Sequence, residues 1–204
     1  MNGRTAVSLL PATTAGLVSG AAQATWTKVT MFDTPAWLAH QVDLDERDRR
    51  QEVGMGAVQA LDLLDILMNL PAGMPVPLRS LGRDTRQAFG RMPRGAVDLS
   101  DTAAVRRVVP LAYPSLAVVI SSRWHDGLVR ASRFAAYCQR MTLLRTMPDD
   151  ARAAMDLATR YGIGLAVLGE TDIDVLVEPQ PLADWQPTPA WWWFSETIFH
   201  HMRR

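Results

Sequence analysis

Between residues 116 and 148 the chain holds two short apolar runs on either side of one amphipathic stretch, an order that few folds accept. Leu116-Ala117-Val118-Val119-Ile120 is continuous, β-branched and of strand length. That is the composition of a strand covered on both faces. A polar turn over 121–127 follows. A helix is then expected over 128–139, with Leu128, Ala131, Ala135 and Cys138 as its small apolar side. A second apolar run, 141–147, stops at Pro148. Strand, helix and strand within about thirty residues form a parallel crossover unit, right-handed with rare exceptions. The centre of the chain therefore predicts an α/β fold with a parallel pair of strands.

The same reading extends downstream. Asp149-Asp150 opens a helix through Tyr161, with Met155, Leu157 and Ala158 on its apolar face and acids where the helix dipole favours them. Gly162 and Gly164 close it, a strand follows over 165–168, and 169–172 is a turn. Ile173, Val175 and Val177 alternate with Asp174, Leu176 and Glu178, as in a hairpin partner with one exposed face. Pro179, Pro181, Pro187 and Pro189 make a stiff connector to a last helix holding Trp191, Trp192, Trp193 and Phe194. Three consecutive tryptophans cannot share one helix face. One is expected outside, so residues 191–194 are read as a candidate partner-binding surface, with core packing against the sheet as the default.

Upstream, the first 24 residues imitate a secretory signal, with Arg4 and Ala22-Gln23-Ala24. Pro11, Thr13, Thr14 and Gly16 break its middle, which favours a mobile or partner-bound segment of a cytoplasmic protein. Thr34-Pro35 reads as a helix start, with the helix running through Val42. The mixed-charge run 43–52 reads as an exposed helical face or a linker. Val58, Leu61, Leu64 and Met68 give helical spacing within 53–70. One helical turn is expected over 78–82, and a helix over 85–92 capped by Asp84. Helix, turn, helix in this order outlines a helix-turn-helix. Arg83, Arg86, Gln87, Arg91 and Arg94 would then suit contact with a nucleic-acid backbone; an ordinary helical subdomain with an arginine-rich face is the bland alternative. A further helix start is expected at Ser100-Asp101, burying Val105, Val108 and Val109. The segments implied are 1–52, 53–95 and 96–204.

Net charge is zero but unevenly placed. Residues 79–145 hold twelve arginines and four acids, for +8, while 1–78 sum to −3 and 146–204 to −5. A basic middle between acidic ends suggests either a polyanion-facing surface or complementary parts that pair with each other or a partner. Arg123, Arg130 and Arg133 form a second candidate patch. The single cysteine, Cys138, excludes a disulfide framework and a cysteine-rich zinc cluster. The single lysine, Lys28, removes lysine from most catalytic schemes. No apolar stretch approaches the roughly 20 residues of a membrane span.

From Leu116 to Pro179 the order of elements resembles the nuclease core of the PD-(D/E)xK, or restriction-endonuclease-like, superfamily. Trp124, Ala131, Tyr137, the strand over 141–147 and Pro148 fall where small members carry a Trp, a helix with an Ala and a Tyr, and a strand ended by Pro. Tyr161-Gly162-Ile163-Gly164-Leu165 resembles the next helix-to-strand step. The resemblance implies a mixed central sheet flanked by helices, here preceded by a mainly helical, winged-helix-like part. It also implies a divalent metal held by an Asp and a Glu, with a Lys beside the attacking water. This chain departs there. Ile120-Ser121-Ser122 stands where Glu-x-Lys belongs, and only Asp98 or Asp101 is offered for the first Asp. No catalytic residue, metal ligand or cofactor is therefore expected. The function expected is that of a non-catalytic DNA-binding or scaffolding subunit, with duplex DNA and another protein subunit or a second copy as partners. The alternatives are a protein-interaction module without nucleic acid, and a nuclease with a site relocated to Asp101, Asp126 and Arg123.

Overall fold

A computed structural model describes residues 9–11, 24–183 and 185–203; most of the N-terminal segment read above as signal-like lies outside them. The chain divides into two compact units that interleave in sequence. One comprises Met1–Gln41 and Pro114–Trp185, the other Val42–Tyr113 and Gln186–Arg204. The sequential segments expected above are thus crossed twice by the chain's return to the first unit and then to the second.

The first unit is built on a six-stranded mixed sheet. In chain order its strands are β1 (Thr25–Met31), β2 (Thr34–Val42), β6 (Ala112–Ser121), β7 (Gln139–Leu144), β8 (Gly164–Leu168) and β9 (Ile173–Val177), and that is also their spatial order. β6 and β7 are parallel, as are β7 and β8, while β8 and β9 are antiparallel. Helix α4 (Trp124–Ser132) makes the first parallel crossover and α5 (Ala151–Tyr161) the second. The central strand-helix-strand expectation holds, although α4 starts earlier and ends earlier than 128–139. Gly127 lets α4 lie close on the sheet: a Cβ there would sit 2.3 Å from Thr142 Cγ2. One side of the sheet is filled by Leu10, Ala39, Leu116, Val118, Met141, Leu143, Ala166 and Ile173. Cys138 is buried, and burial pushes its thiol up to about 12, which leaves it an inert small hydrophobe.

Residues 34–42 are a strand, not the expected helix. Pro is as welcome at the first residue of a strand as in the first turn of a helix, so Thr34-Pro35 was an ambiguous signal. Pairing with β1 decides it, residue for residue from Thr34 opposite Met31 to His40 opposite Thr25. The two-residue turn, Phe32-Asp33, has positive φ at both positions, 53° and 54°, as a tight hairpin requires. Phe at positive φ is strained. Stacking on Tyr137 at 5.3 Å and an edge contact to Phe134 at 5.7 Å hold it.

The second unit begins with α1 (Leu44–Glu52) and α2 (Leu61–Met68). After β3 (Pro75–Pro77) come a 3-10 turn (Leu78–Ser80) and α3 (Arg83–Ala88), which ends in a second 3-10 turn (Phe89–Arg91). β4 (Val97–Leu99) and β5 (Ala103–Arg106) form a hairpin, and α6 (Pro189–Met202) returns at the end. β3, β5 and β4 make an antiparallel sheet with β5 in the middle. Leu70, Phe89 and Ala104 form a small core with Val76, Leu78, Leu81, Met92 and Val97. Three expectations are corrected. The 53–70 helix is confined to Leu61–Met68: Gly54 at φ +69° closes α1, and residues 55–60 are irregular. Asp84 lies inside α3, whose cap is Gly82 with no side-chain bond. Ser100 starts no helix: its hydroxyl accepts from Ala103 N at 3.0 Å and closes the β4–β5 turn.

Candidate functional site

The α3 sequence Arg-Asp-Thr-Arg-Gln-Ala has no β-branched run to oppose a helix. Its inward residues, Ala88 and then Phe89, are buried against the small sheet. Arg83, Arg86 and Gln87 stand three and four residues apart, hence on one outer side. All three are exposed, and none has a hydrogen bond or ion pair to another described side chain. Arg94, beyond Pro93, is exposed and unpaired in the same way. Arg91 is exposed but held by Asp62 of α2 at 2.6 Å; that guanidinium in turn holds the Asp62 carboxyl below its ordinary value. Such a surface pair contributes little stability, so Arg91 is exchangeable between Asp62 and an external anion.

The rest of the unit fixes where this face sits. Arg50 of α1 is buried, yet its guanidinium is fully engaged: Nε donates to Glu46 at 2.7 Å, both terminal nitrogens donate to Glu196 of α6 at 2.7 Å, and Nη2 also reaches Val109 O at 2.7 Å. Glu196 further accepts from Val58 N at 2.8 Å and from Trp192 Nε1 at 3.1 Å. Arg49 donates to Glu46 at 2.7 Å and to Gly95 O at 2.8 Å, which ties α1 to the loop after α3. Gly95 has φ +83°, and a Cβ there would lie 2.7 Å from Val53. Burial raises the cost of ionising Glu46, but the hydrogen bonds and charges of Arg49 and Arg50 outweigh it and hold its carboxyl below the ordinary value. The run 43–52 read as a solvated face; its buried side was missed because the partner that buries it, Glu196, is far away in sequence.

The second basic patch does not assemble as three open cations. Arg123 is bound to Asp126 at 2.6 Å, since i and i+3 meet on a helix. Arg133 donates to Phe32 O and to Thr34 Oγ1, securing the strained β1–β2 turn. Arg130 alone is exposed and unpaired. This group also belongs to the first unit and α3 to the second. The basic middle is accordingly divided, with seven arginines and three acids before residue 114 and five arginines and one acid after it.

The tryptophan helix follows the core-packing expectation, and a partner contact through Trp191, Trp192 and Phe194 is corrected. Trp191, Trp192 and Phe194 are buried and only Trp193 is half-exposed. A side chain inside the unit cannot meet a partner. The fourteen-residue helix is apolar on nearly every side because it is a core helix.

At the position of the expected catalytic motif, Ser121 ends β6 and its hydroxyl donates to Arg123 O at 2.8 Å. β2, the neighbour of β6, has no acid in its nine residues. Asp98 lies on β4 of the other unit and is bound to Arg107 at 2.6 Å, and Asp101 is in the hairpin turn beside it. No group of three His, Cys, Asp or Glu side chains among the described residues is placed to hold a metal ion. Among the same residues no helix is long and apolar enough to cross a membrane. Compared with known proteins, the chain matches no family model, no curated protein and no solved structure.

Proposed function

We propose that the chain is a non-catalytic DNA-binding or scaffolding subunit of a nucleic-acid-processing or defence assembly, with a winged-helix-like second unit and a degenerate restriction-endonuclease-like first unit. The observation that carries this reading is the outer side of α3, where Arg83, Arg86 and Gln87 share one face with no partner among the described residues. The order α2, β3, turn, α3, then the β4–β5 hairpin, with β5 between β3 and β4, supports the winged-helix part. The order β1–β2 hairpin, β6, α4, β7 supports the nuclease-like part. Ser121-Ser122 in place of Glu-x-Lys supports binding without cleavage. The two arginines and Gln87 act as contacts to the nucleic-acid backbone in this reading.

The test is fluorescence anisotropy with labelled duplex and single-stranded DNA over a salt series, with and without magnesium. Binding to duplex is expected to weaken steeply as salt rises, without cleavage. Arg86→Glu is expected to reduce affinity at least about tenfold and to lower the salt slope by about 1. No binding at low salt would sink the reading. The relocated-site alternative has its residues in different units, Asp101 in one and Arg123 with Asp126 in the other; magnesium-dependent cleavage lost in Asp101→Ala would establish it instead.

A further inference from the structure

The small sheet of the second unit has two free edges, and only one is blocked. Hydrogen-bond parity decides which backbone groups face outward. On β3, Val76 lies opposite Ala104, while Leu78 N, two residues on, donates to Thr102 O at 2.8 Å in the same register. The inward positions are therefore the even-numbered ones, and Pro75 and Pro77 take the outward ones. Neither proline has an N–H to offer, which makes this edge unattractive to another strand.

β4 is the opposite case. Arg107 N donates to Ala96 O at 2.9 Å and Ser100 N to Ala103 O at 2.9 Å, and Asp98 faces Val105 between them. Val97 and Leu99 consequently turn their N–H and C=O groups away from β5, toward the free edge. Neither has a hydrogen bond to the described residues outside the sheet. A groove of about 530 Å³ runs beside them, lined by Phe89, Met92, Pro93 and Arg94 as well as Val97 and Leu99. Its lining is mixed: Val53, Phe89, Met92 and Pro93 are apolar, Arg94 has no ion pair among the described residues, Asp98 is bound to Arg107 at 2.6 Å, and Leu99 is 55% exposed.

We propose that the β4 edge accepts an extended segment of a partner protein as an added strand, with an apolar side chain in the groove against Phe89 and Met92 and an acidic residue against Arg94. Backbone bonds to Val97 and Leu99 supply affinity, and the groove supplies selectivity, as in other strand-addition interfaces. An acidic residue fits at Arg94 because that guanidinium has no ion pair among the described residues, whereas the groove's own acid, Asp98, is already bound to Arg107 at 2.6 Å. A second copy fits poorly. Self-pairing that uses both outward residues sets Val97 against Leu99 of the other copy and leaves Asp98 directly opposite its own equivalent, in the close non-hydrogen-bonded pair. The proposal uses β4 and shares only Arg94 with the nucleic-acid surface read from the sequence; Arg83, Arg86 and Gln87 on the outer side of α3 take no part in it.

The probe is a short, end-capped, fluorescein-labelled peptide alternating valine with serine and glutamate, titrated into the full chain. Its binding is expected to shift the amide resonances of Val97 and Leu99. N-methylation of the probe's backbone, and Leu99→Pro in the protein, should each weaken binding at least about tenfold. Arg94→Glu, a surface change that leaves the fold alone, should weaken it similarly, and a lysine-for-glutamate probe should bind less well. DNA binding should be unchanged in Leu99→Pro. The proposal is overturned if the probe does not bind, if binding survives both Leu99→Pro and Arg94→Glu, or if the chain itself dimerises in a manner that Leu99→Pro abolishes.

Discussion

Arg50 carries a full charge at 1% exposure, and the reason it can do so lies in its neighbours. Two carboxylates and a carbonyl receive its guanidinium, and its plane lies over the Phe199 ring at 5.2 Å. Removing one member leaves the others buried and uncompensated, a loss of about 3–5 kcal/mol. Arg50→Ala and Glu196→Ala are each expected to show it in urea denaturation, and the double variant should lose much less than their sum. Additive losses would mean that the residues do not act as one cluster. His40 is the matching residue of the first unit. It is fully buried on β2, its Nδ1 lies 3.3 Å from Leu38 O, and its Nε2 has no partner among the described residues. Burial lowers its ring below the ordinary value despite that carbonyl.

At the scale of elements, close approach replaces side-chain chemistry. α4 rests on β7 at Gly127, where an added methyl would collide with Thr142. Gly127→Ala is expected to destabilise by about 1–3 kcal/mol through overpacking, although alanine is the better helix former. A stabilised variant would show that α4 moves away from the sheet without penalty. The β1–β2 turn uses the opposite device: strain at Phe32 is offset by ring stacking and by Arg133. Arg133 is thereby committed to the fold, while the arginines of α3 remain available. Partners, rather than charge, separate the arginines that hold the fold from those left open to solvent in this chain.

For the whole molecule, pH brings these terms together. The folded state holds Glu46 below its ordinary value, so its contribution is complete above the unfolded carboxylate range, about 4.3, and is lost as pH falls through the lower folded value. His40 is likewise lowered. The unfolded chain takes up its proton first, from about pH 6.5 downward, and stability falls with it. Stability should therefore decline in two stages, the first as pH falls below about 6.5 and the second as it falls below about 4.3. His40→Leu is expected to remove the upper stage and Glu46→Gln the lower, read from urea midpoints at each pH. An unchanged upper slope in His40→Leu would reassign that stage. Both crossovers of the parallel sheet, the β8–β9 hairpin and the exposed arginines of α3 were legible in the sequence, because periods of two and 3.6 and the punctuation by Pro and Gly are local properties of the chain. Three features were not legible: the strand at Thr34–Val42, the burial of Glu46 and Arg50, and the interleaving of the two units. The strand is settled by its hairpin partner β1, because Thr34-Pro35 suits a helix start as well as a strand, and the other two depend on partners remote in sequence, such as Glu196 for Arg50. Local spacing determines which elements form; long-range register and burial decide which charges and rings are left facing water.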